Sequence, residues 1–294
     1  MKKFLAIALA ALMLFAFAAC GDKTNTDAKT NTDAAPAAAL VKLVDIQLSS
    51  EEYAFGVDKA QPELLADVNA FIEKILGDGT FEAICAKYLG EGKGEKVGVA
   101  SAEFDASKDQ LIVATNAEFA PFEYKEGELY YGIDMEVAAL LAAELGKELV
   151  IDNMDFDAVC LSVGQHKCDI AIAGLSVNAE REESVTFTVP YYTSAQKIIV
   201  KADDTRFDAC TTAEEVEAVL DTLAEGTKIG AQTGTTGELY IKGSDAFGFD
   251  PIANAEAVTY DSAALATTDL INGRVDFVIV DADPAAAIVS TVNG

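Results

Sequence analysis

The chain has a single histidine, His166, and no two cysteines at metal-ligand spacing. Cys85, Cys160, Cys168 and Cys210 stand apart from one another, so no structural zinc site and no other metal or cofactor is expected. Cys160 and Cys168 are eight positions apart, about 12 Å if the chain between them is helical. That is too far for a disulfide, and free thiols are expected. Basic side chains are also scarce: 21 Lys and Arg stand against 49 Asp and Glu, a net charge of −28. Such a surface argues against nucleic acid and against an anionic membrane surface as partners. The one Gly-rich turn at a predicted helix start, Gln232 to Gly237, lacks the Gly-Lys-Ser/Thr ending of a nucleotide-binding loop.

What is present begins with an export signal. Lys2 and Lys3 precede an apolar run, Phe4 to Phe17, and then Ala18-Ala19-Cys20. The run is too short to read as a membrane span. Residues 1–19 are therefore expected to be a signal peptide. Phe17 to Gly21 resembles a lipobox, which implies a lipid anchor on Cys20 and an exported, membrane-anchored protein. Residues 20–39 follow as a tether that repeats Lys-Thr-Asn-Thr-Asp-Ala and has no apolar residues to bury, so disorder is expected.

Beyond the tether the pattern alternates between strands and helices. Strands are predicted at Leu40 to Leu48, Glu52 to Lys59, Leu111 to Thr115, Leu149 to Asp152, Asp169 to Ala173, Lys197 to Lys201, Lys228 to Ala231 and Val275 to Val280. Helices are predicted from Pro62, from Thr80 as cap, over Ile133 to Leu145, over Phe156 to Val163 and over Ser262 to Asn272. Further helices are predicted after Gly234, from Pro284, and over Glu214 to Ala224 behind a Thr212–Glu215 capping box. Residues 90–109 read as a linker. The alternation means an α/β fold with mixed, mostly parallel sheets, in which ligands sit off the carboxyl ends of strands.

Three strand exits and one helix start are the places to look. The first exit carries Asn116, Phe119, Pro121 and Phe122. The second carries Gly174, Leu175, Ser176 and Arg181, whose guanidinium fits a carboxylate with two charge-assisted bonds. Taken alone, Arg181 could equally be a surface ion-pair residue. The third carries Asp281, which can accept an ammonium or merely cap the next helix. At the helix start, Gln232, Thr235 and Thr236 flank glycines whose N–H groups suit a small anion. Together these match an α-amino acid: carboxylate to Arg181, ammonium to Asp281, and side chain near Phe119 and Phe156.

The stretches FAPFEY, YGIDMEVAALLAAELG, MDFDAV, CDIAIAGLSVNAERE, VTFTVPYYTSAQKIIVK, GAQTGTTGELY and NGRVDFVIVDADPAAA resemble those of polar amino-acid-binding proteins of ABC transporters, solute-binding protein family 3. The resemblance covers most of residues 110–294. It implies a two-lobe periplasmic-binding-protein (Venus-flytrap) fold with two hinge strands, a free amino acid as ligand, an ABC permease as partner, and a monomer without catalytic activity. It places Phe119, Gly174, Ser176, Arg181, Thr235, Thr236 and Asp281 at ligand contacts, and Phe156 matches an aromatic that some members place against the ligand. The chain order departs from the family: the pieces expected after residue 294 stand at 40–89, which implies a circular permutation. Lobe 1 is then expected over 52–195, including the linker 90–109. Lobe 2 is expected over 196–294 plus 40–51, with the crossing strands at Ala195 to Lys201 and Glu52 to Lys59. Asn116 and Gln232 stand where relatives carry charge, which implies a neutral ligand. The alternatives are a ligand-sensing lipoprotein and an exported enzyme similar to cyclohexadienyl dehydratases.

Overall fold

A computed structural model describes residues 38–90 and 92–294. The expected signal peptide, Cys20 and nearly all of the tether lie outside the described residues. The chain opens with β1 (Val41–Val44), β2 (Glu51–Tyr53), β3 (Gly56–Asp58), α1 (Pro62–Gly77) and α2 (Thr80–Tyr88). After a stretch without regular elements come β4 (Gln110–Thr115), β5 (Glu118–Phe119), β6 (Glu123–Glu126), β7 (Leu129–Tyr131), α3 (Ile133–Glu144), β8 (Glu148–Asn153), α4 (Phe156–Gly164) and β9 (Ile170–Ala171). They are followed by β10 (Val185–Phe187), β11 (Tyr192–Ser194), β12 (Gln196–Lys201), α5 (Ala213–Leu220), β13 (Thr227–Gln232) and α6 (Thr236–Lys242). The chain closes with β14 (Ala255–Tyr260), α7 (Ala263–Ile271), β15 (Phe277–Asp281) and α8 (Ala282–Asn293).

Two five-stranded sheets organise this chain. The first runs β10-β3-β9-β4-β8 and the second β1-β12-β15-β13-β14. β4 is parallel to β8 and β9, and β13 is parallel to β14 and β15. Both parallel centres are covered on both faces, which explains their unbroken apolar sequences. Every residue of β15 is buried, as are Leu111, Val113 and Ala114 of β4. Helices supply the cover in ways legible in the sequence. In α1, Leu64, Val68, Phe71, Ile72 and Ile75 make one buried stripe at helical spacing. α5 is held at its start by the Thr212–Glu215 capping box, with both reciprocal bonds present.

The segment before residue 90 is built into both sheets. β1 pairs antiparallel with β12 at the edge of the second sheet. β3 lies inside the first, between β9 and β10, with Val57 fully buried. α2 is tied to α3 through Glu136, which pairs with Lys87 and accepts from the Tyr88 hydroxyl at 2.6 Å. Residues 92–109 have no helix or paired strand, yet they are pinned. Val99 exchanges two backbone bonds with Tyr130, and the Ser101 hydroxyl accepts from the Ile151 N–H at 2.8 Å.

The structure corrects several expectations. The single strand expected over Glu52 to Lys59 is two strands, broken at Ala54 and Phe55 where the chain turns from one sheet toward the other. The crossing between sheets is therefore made by the ribbon of β2 against β11. Gln196–Lys201 does not cross; it lies wholly in the second sheet. Thr80 is not a cap: Gly79 holds that position at φ +83°, and the Asp78 carboxylate accepts from the Thr80 N–H. α5 stops at Leu220, short of Ala224. The meander β5-β6-β7, together with β10, β11 and β14, was not expected. Cys85, Cys160, Cys168 and Cys210 are free thiols.

Candidate functional site

The strand exits converge on a cleft between the two sheets. Asn116 and Phe119 follow β4, Gly174 to Ser176 follow β9, and Arg181 opens a short 3-10 turn held by the Asn178 side chain, which accepts from the Arg181 N–H at 2.8 Å. Facing them from the second sheet are Gln232 at the end of β13, Thr235 and Thr236 at the start of α6, and Asp281 at the end of β15. Direct bonds join the two sides. Gln232 Nε2 donates to Asn116 Oδ1 at 2.7 Å. The Thr236 hydroxyl donates to Ser176 Oγ at 3.2 Å. Arg181 Nη2 donates to the Gly234 carbonyl at 3.1 Å.

Each side chain has a local reason for its place. Arg181 Nη1 donates to the Ser176 carbonyl at 2.7 Å, and its guanidinium lies 5.2 Å from the centre of the Phe156 ring. That cation–π contact orients the fork. Two guanidinium nitrogens already hold carbonyls, and a guanidinium has five N–H donors, so others remain for a carboxylate. Gly174 adopts φ +53°, and a Cβ there would come within 3.0 Å of the Phe119 ring. Any larger residue would displace that aromatic. Beside Arg181 is a cavity of about 200 Å³ lined by Phe156, Asp157, Cys160, Leu175, Arg181 and Gly234.

Some candidates are committed elsewhere. The Gly234 N–H, one of the donors expected to hold an anion, donates to Glu238 Oε2 at 2.6 Å. The Thr235 hydroxyl donates to the Gln232 carbonyl at 2.8 Å. Asn116 and Gln232, on which a neutral ligand was argued, spend polar groups on one another. Asn116 also donates to the Met154 carbonyl at 2.8 Å, and Gln232 to the Asp261 carbonyl at 2.9 Å.

Residues that the sequence reading missed complete the cleft. Glu51, Tyr53, Ser194 and Gln196, all buried, come from the β2–β11 ribbon and its exit. Gln196 Nε2 donates to Asp281 Oδ1 at 2.9 Å and to Glu51 Oε1 at 3.0 Å. Burial pushes the Asp281 carboxyl well above its ordinary range, and the neighbouring Glu51 carboxylate pushes it further; Arg181 pulls the other way. Deeper in the first lobe, Glu123 and Asp134 are both fully buried. Asp134 accepts from the Gly174 N–H at 2.8 Å and from the Tyr191 hydroxyl, and burial raises it to about 7. Neither Glu123 oxygen meets a donor, and burial followed by the charge of Asp134 raises it strongly. Two carboxyls can bond only when one keeps its proton. Local periodicity gives no sign of these groups, since each matters through partners far along the chain. His166 lies outside the cleft on an exposed turn, 2.7 Å from Asp58. Among the described residues no cluster suits a metal ion, and no helix is long and apolar enough to cross a membrane.

Comparison with known proteins agrees with this geometry. Residues 111–245 match the family of bacterial extracellular solute-binding proteins, family 3. ABC transporter arginine-binding protein 1 of Escherichia coli (strain K12) is 31% identical over 187 residues, covering 62% of this chain and 68% of that protein. The arginine-binding extracellular protein of Bacillus subtilis (strain 168) is 35% identical over 99 residues, covering 34% of this chain and 39% of that protein. Among solved structures, an ancestral amino acid-binding protein described as a precursor of cyclohexadienyl dehydratase aligns with a TM-score of 0.53 at 29% identity. That alignment covers 63% of this chain and 74% of the other. With its two sheets, its crossing ribbon and its cleft, the chain belongs to the family 3 extracellular solute-binding proteins and has their two-lobe fold.

Proposed function

We propose that this protein captures a free amino acid between its lobes and delivers it to an ABC importer, held to the membrane by a lipid on Cys20. One observation carries the reading: Arg181, after β9 of the first sheet, and Asp281, at the end of β15 of the second, lie close enough for their charges to act on one another. The α-carboxylate of the ligand pairs with Arg181 and its α-ammonium with Asp281, so the ligand bridges opposite charges and stabilises closure. Exclusion of water on closure strengthens both pairs. Phe119 and Phe156 wall the side chain, and Ser176 and Thr236 add hydroxyls on either side. Relatives named as arginine-, histidine- and cystine-binding proteins support the amino-acid class.

Residues 40–89 are read as the family's usual C-terminal pieces moved to the front. Their insertion into both sheets supports that order. In the unpermuted order residue 40 would follow closely on residue 294, and the Leu40 N–H does donate to the Asn293 side chain at 2.9 Å. The test of function is a thermal-shift screen of the purified protein against the twenty amino acids. A midpoint that rises with the concentration of one or a few of them supports capture. No rise with any would overturn it.

A further inference from the structure

Glu51 is 3% exposed at the start of β2, on the ribbon that joins the lobes. Its carboxylate accepts from the Ser49 hydroxyl at 2.6 Å, from the Ser176 hydroxyl at 2.6 Å and from Gln196 Nε2 at 3.0 Å. These bonds decide what the corner around it can bind. Ser176 has one proton, and it is committed to Glu51. Toward Thr236, and toward anything in the cleft, Ser176 therefore presents lone pairs. Gln196 has two amide protons, and the carboxylates of Glu51 and Asp281 take both. Its Oε1 is left buried with no partner. Apart from the buried hydroxyls of Tyr53 and Ser194, the corner presents acceptors: two carboxylates, an amide oxygen and a hydroxyl turned outward. The cation among the main influences on Asp281 is Arg181. The carboxyls behind the corner, Glu123 and Asp134, are raised by burial and hold their protons more readily than free acids do.

We infer that Glu51 is a specificity residue of the cleft: once a ligand ammonium holds Asp281 in its charged form, Glu51 and Asp281 set two carboxylates against one guanidinium, so that the site selects an amino acid carrying one net positive charge. The inference rests on the amino-acid reading above. A neutral amino acid brings one positive and one negative group and leaves one carboxylate over. A cationic amino acid brings the site to neutrality. In a closed cleft, where screening is weak, an unbalanced charge is disfavoured far more than in water. Asn116 and Gln232 do not argue against a cation, because their amide groups are bonded to each other.

The test is calorimetric titration of the purified protein with L-arginine, L-lysine and L-citrulline, the last a neutral near-isostere of arginine, repeated with Glu51→Gln. The wild type should bind a cationic member at least about tenfold tighter than citrulline, and Glu51→Gln should shrink that ratio by about tenfold, a change of about 1.4 kcal/mol. Citrulline binding as tightly as arginine and lysine overturns the inference. So does a variant that weakens all three by the same factor, since Glu51 would then only support the fold. If Glu51→Gln does not fold, the wild-type ratio decides alone. Binding of none of the twenty amino acids to the wild type counts against the amino-acid reading itself.

Discussion

Residues 38–89 and residues 110–294 contribute to the same cleft in different ways. The later segment holds every motif that points to a ligand: the exits after β4, β9 and β15 and the turn before α6. The earlier segment holds none. Yet it supplies a strand to the first sheet, an edge strand to the second, half of the ribbon between them, and Glu51 and Tyr53 beside Asp281. Motif content therefore measures how local a residue's role is rather than how much it matters. The Ser176–Glu51 bond spans 125 positions and the Gln196–Glu51 bond 145. No window of sequence contains either.

The comparison breaks if the earlier segment is an appendage. Phe55 tests that most severely. Its ring is fully buried, with its centroid 4.6 Å from that of Tyr191, and its N–H donates to the Thr188 hydroxyl at 3.0 Å. Phe55→Ala should cost about 3–5 kcal/mol of stability, lost in one cooperative transition in chemical denaturation. Two transitions, with the later segment unchanged, would separate the regions. The complementary test lies in the later segment. Arg181→Ala should weaken binding of whichever amino acid the screen selects by about 2–5 kcal/mol, because it leaves the ligand carboxylate unpaired in a closed site. Titration that finds near-normal affinity would remove Arg181 from the pocket.

What the sequence made legible follows the same division. β4, α3, α4, β13 and the Thr212 box were readable because their signals repeat within a few residues. β14 was missed because none of its residues is fully buried, so it shows no apolar run. The meander β5-β6-β7 was missed because its strands are only two to four residues long. Of the candidates, Ser176 is bonded to Thr236 and to Arg181, whose charge acts on Asp281. The pairing of Asn116 with Gln232 and the acidic corner at Glu51 depend on folded neighbours and had no local signature.

The buried acids sharpen the comparison through pH. The Asp134 carboxyl titrates at about 7 in the folded protein, against an ordinary value of 3.8. A raised acid favours the folded state while protonated. Its contribution is full below about pH 4 and is lost as pH climbs through about 7. Glu123 is shifted in the same direction. Asp134→Asn should flatten this loss, by roughly 1–3 kcal/mol across that window, in urea unfolding measured from pH 4 to 7.5. An unchanged slope would mean that other groups carry it. Tyr191, whose hydroxyl holds Asp134, follows β10 and packs on Phe55, so the earlier segment takes part in this pocket too.

The smallest expected effect is also the most discriminating. Asn116 and Gln232 join the lobes through one neutral hydrogen bond, and both belong to the later segment. Each also holds a carbonyl, Met154 or Asp261. Single replacements by alanine therefore remove more than the shared bond, and only a double-mutant cycle isolates it. A neutral bond of this kind contributes about 0.5–1.5 kcal/mol, so the coupling measured by unfolding should be near 1 kcal/mol. A coupling of that size means that the cleft-side residues themselves help to hold the lobes together. A coupling of zero means that the lobes are held by the other bonds across the cleft, Thr236 to Ser176 and Arg181 to Gly234, and by the ribbon.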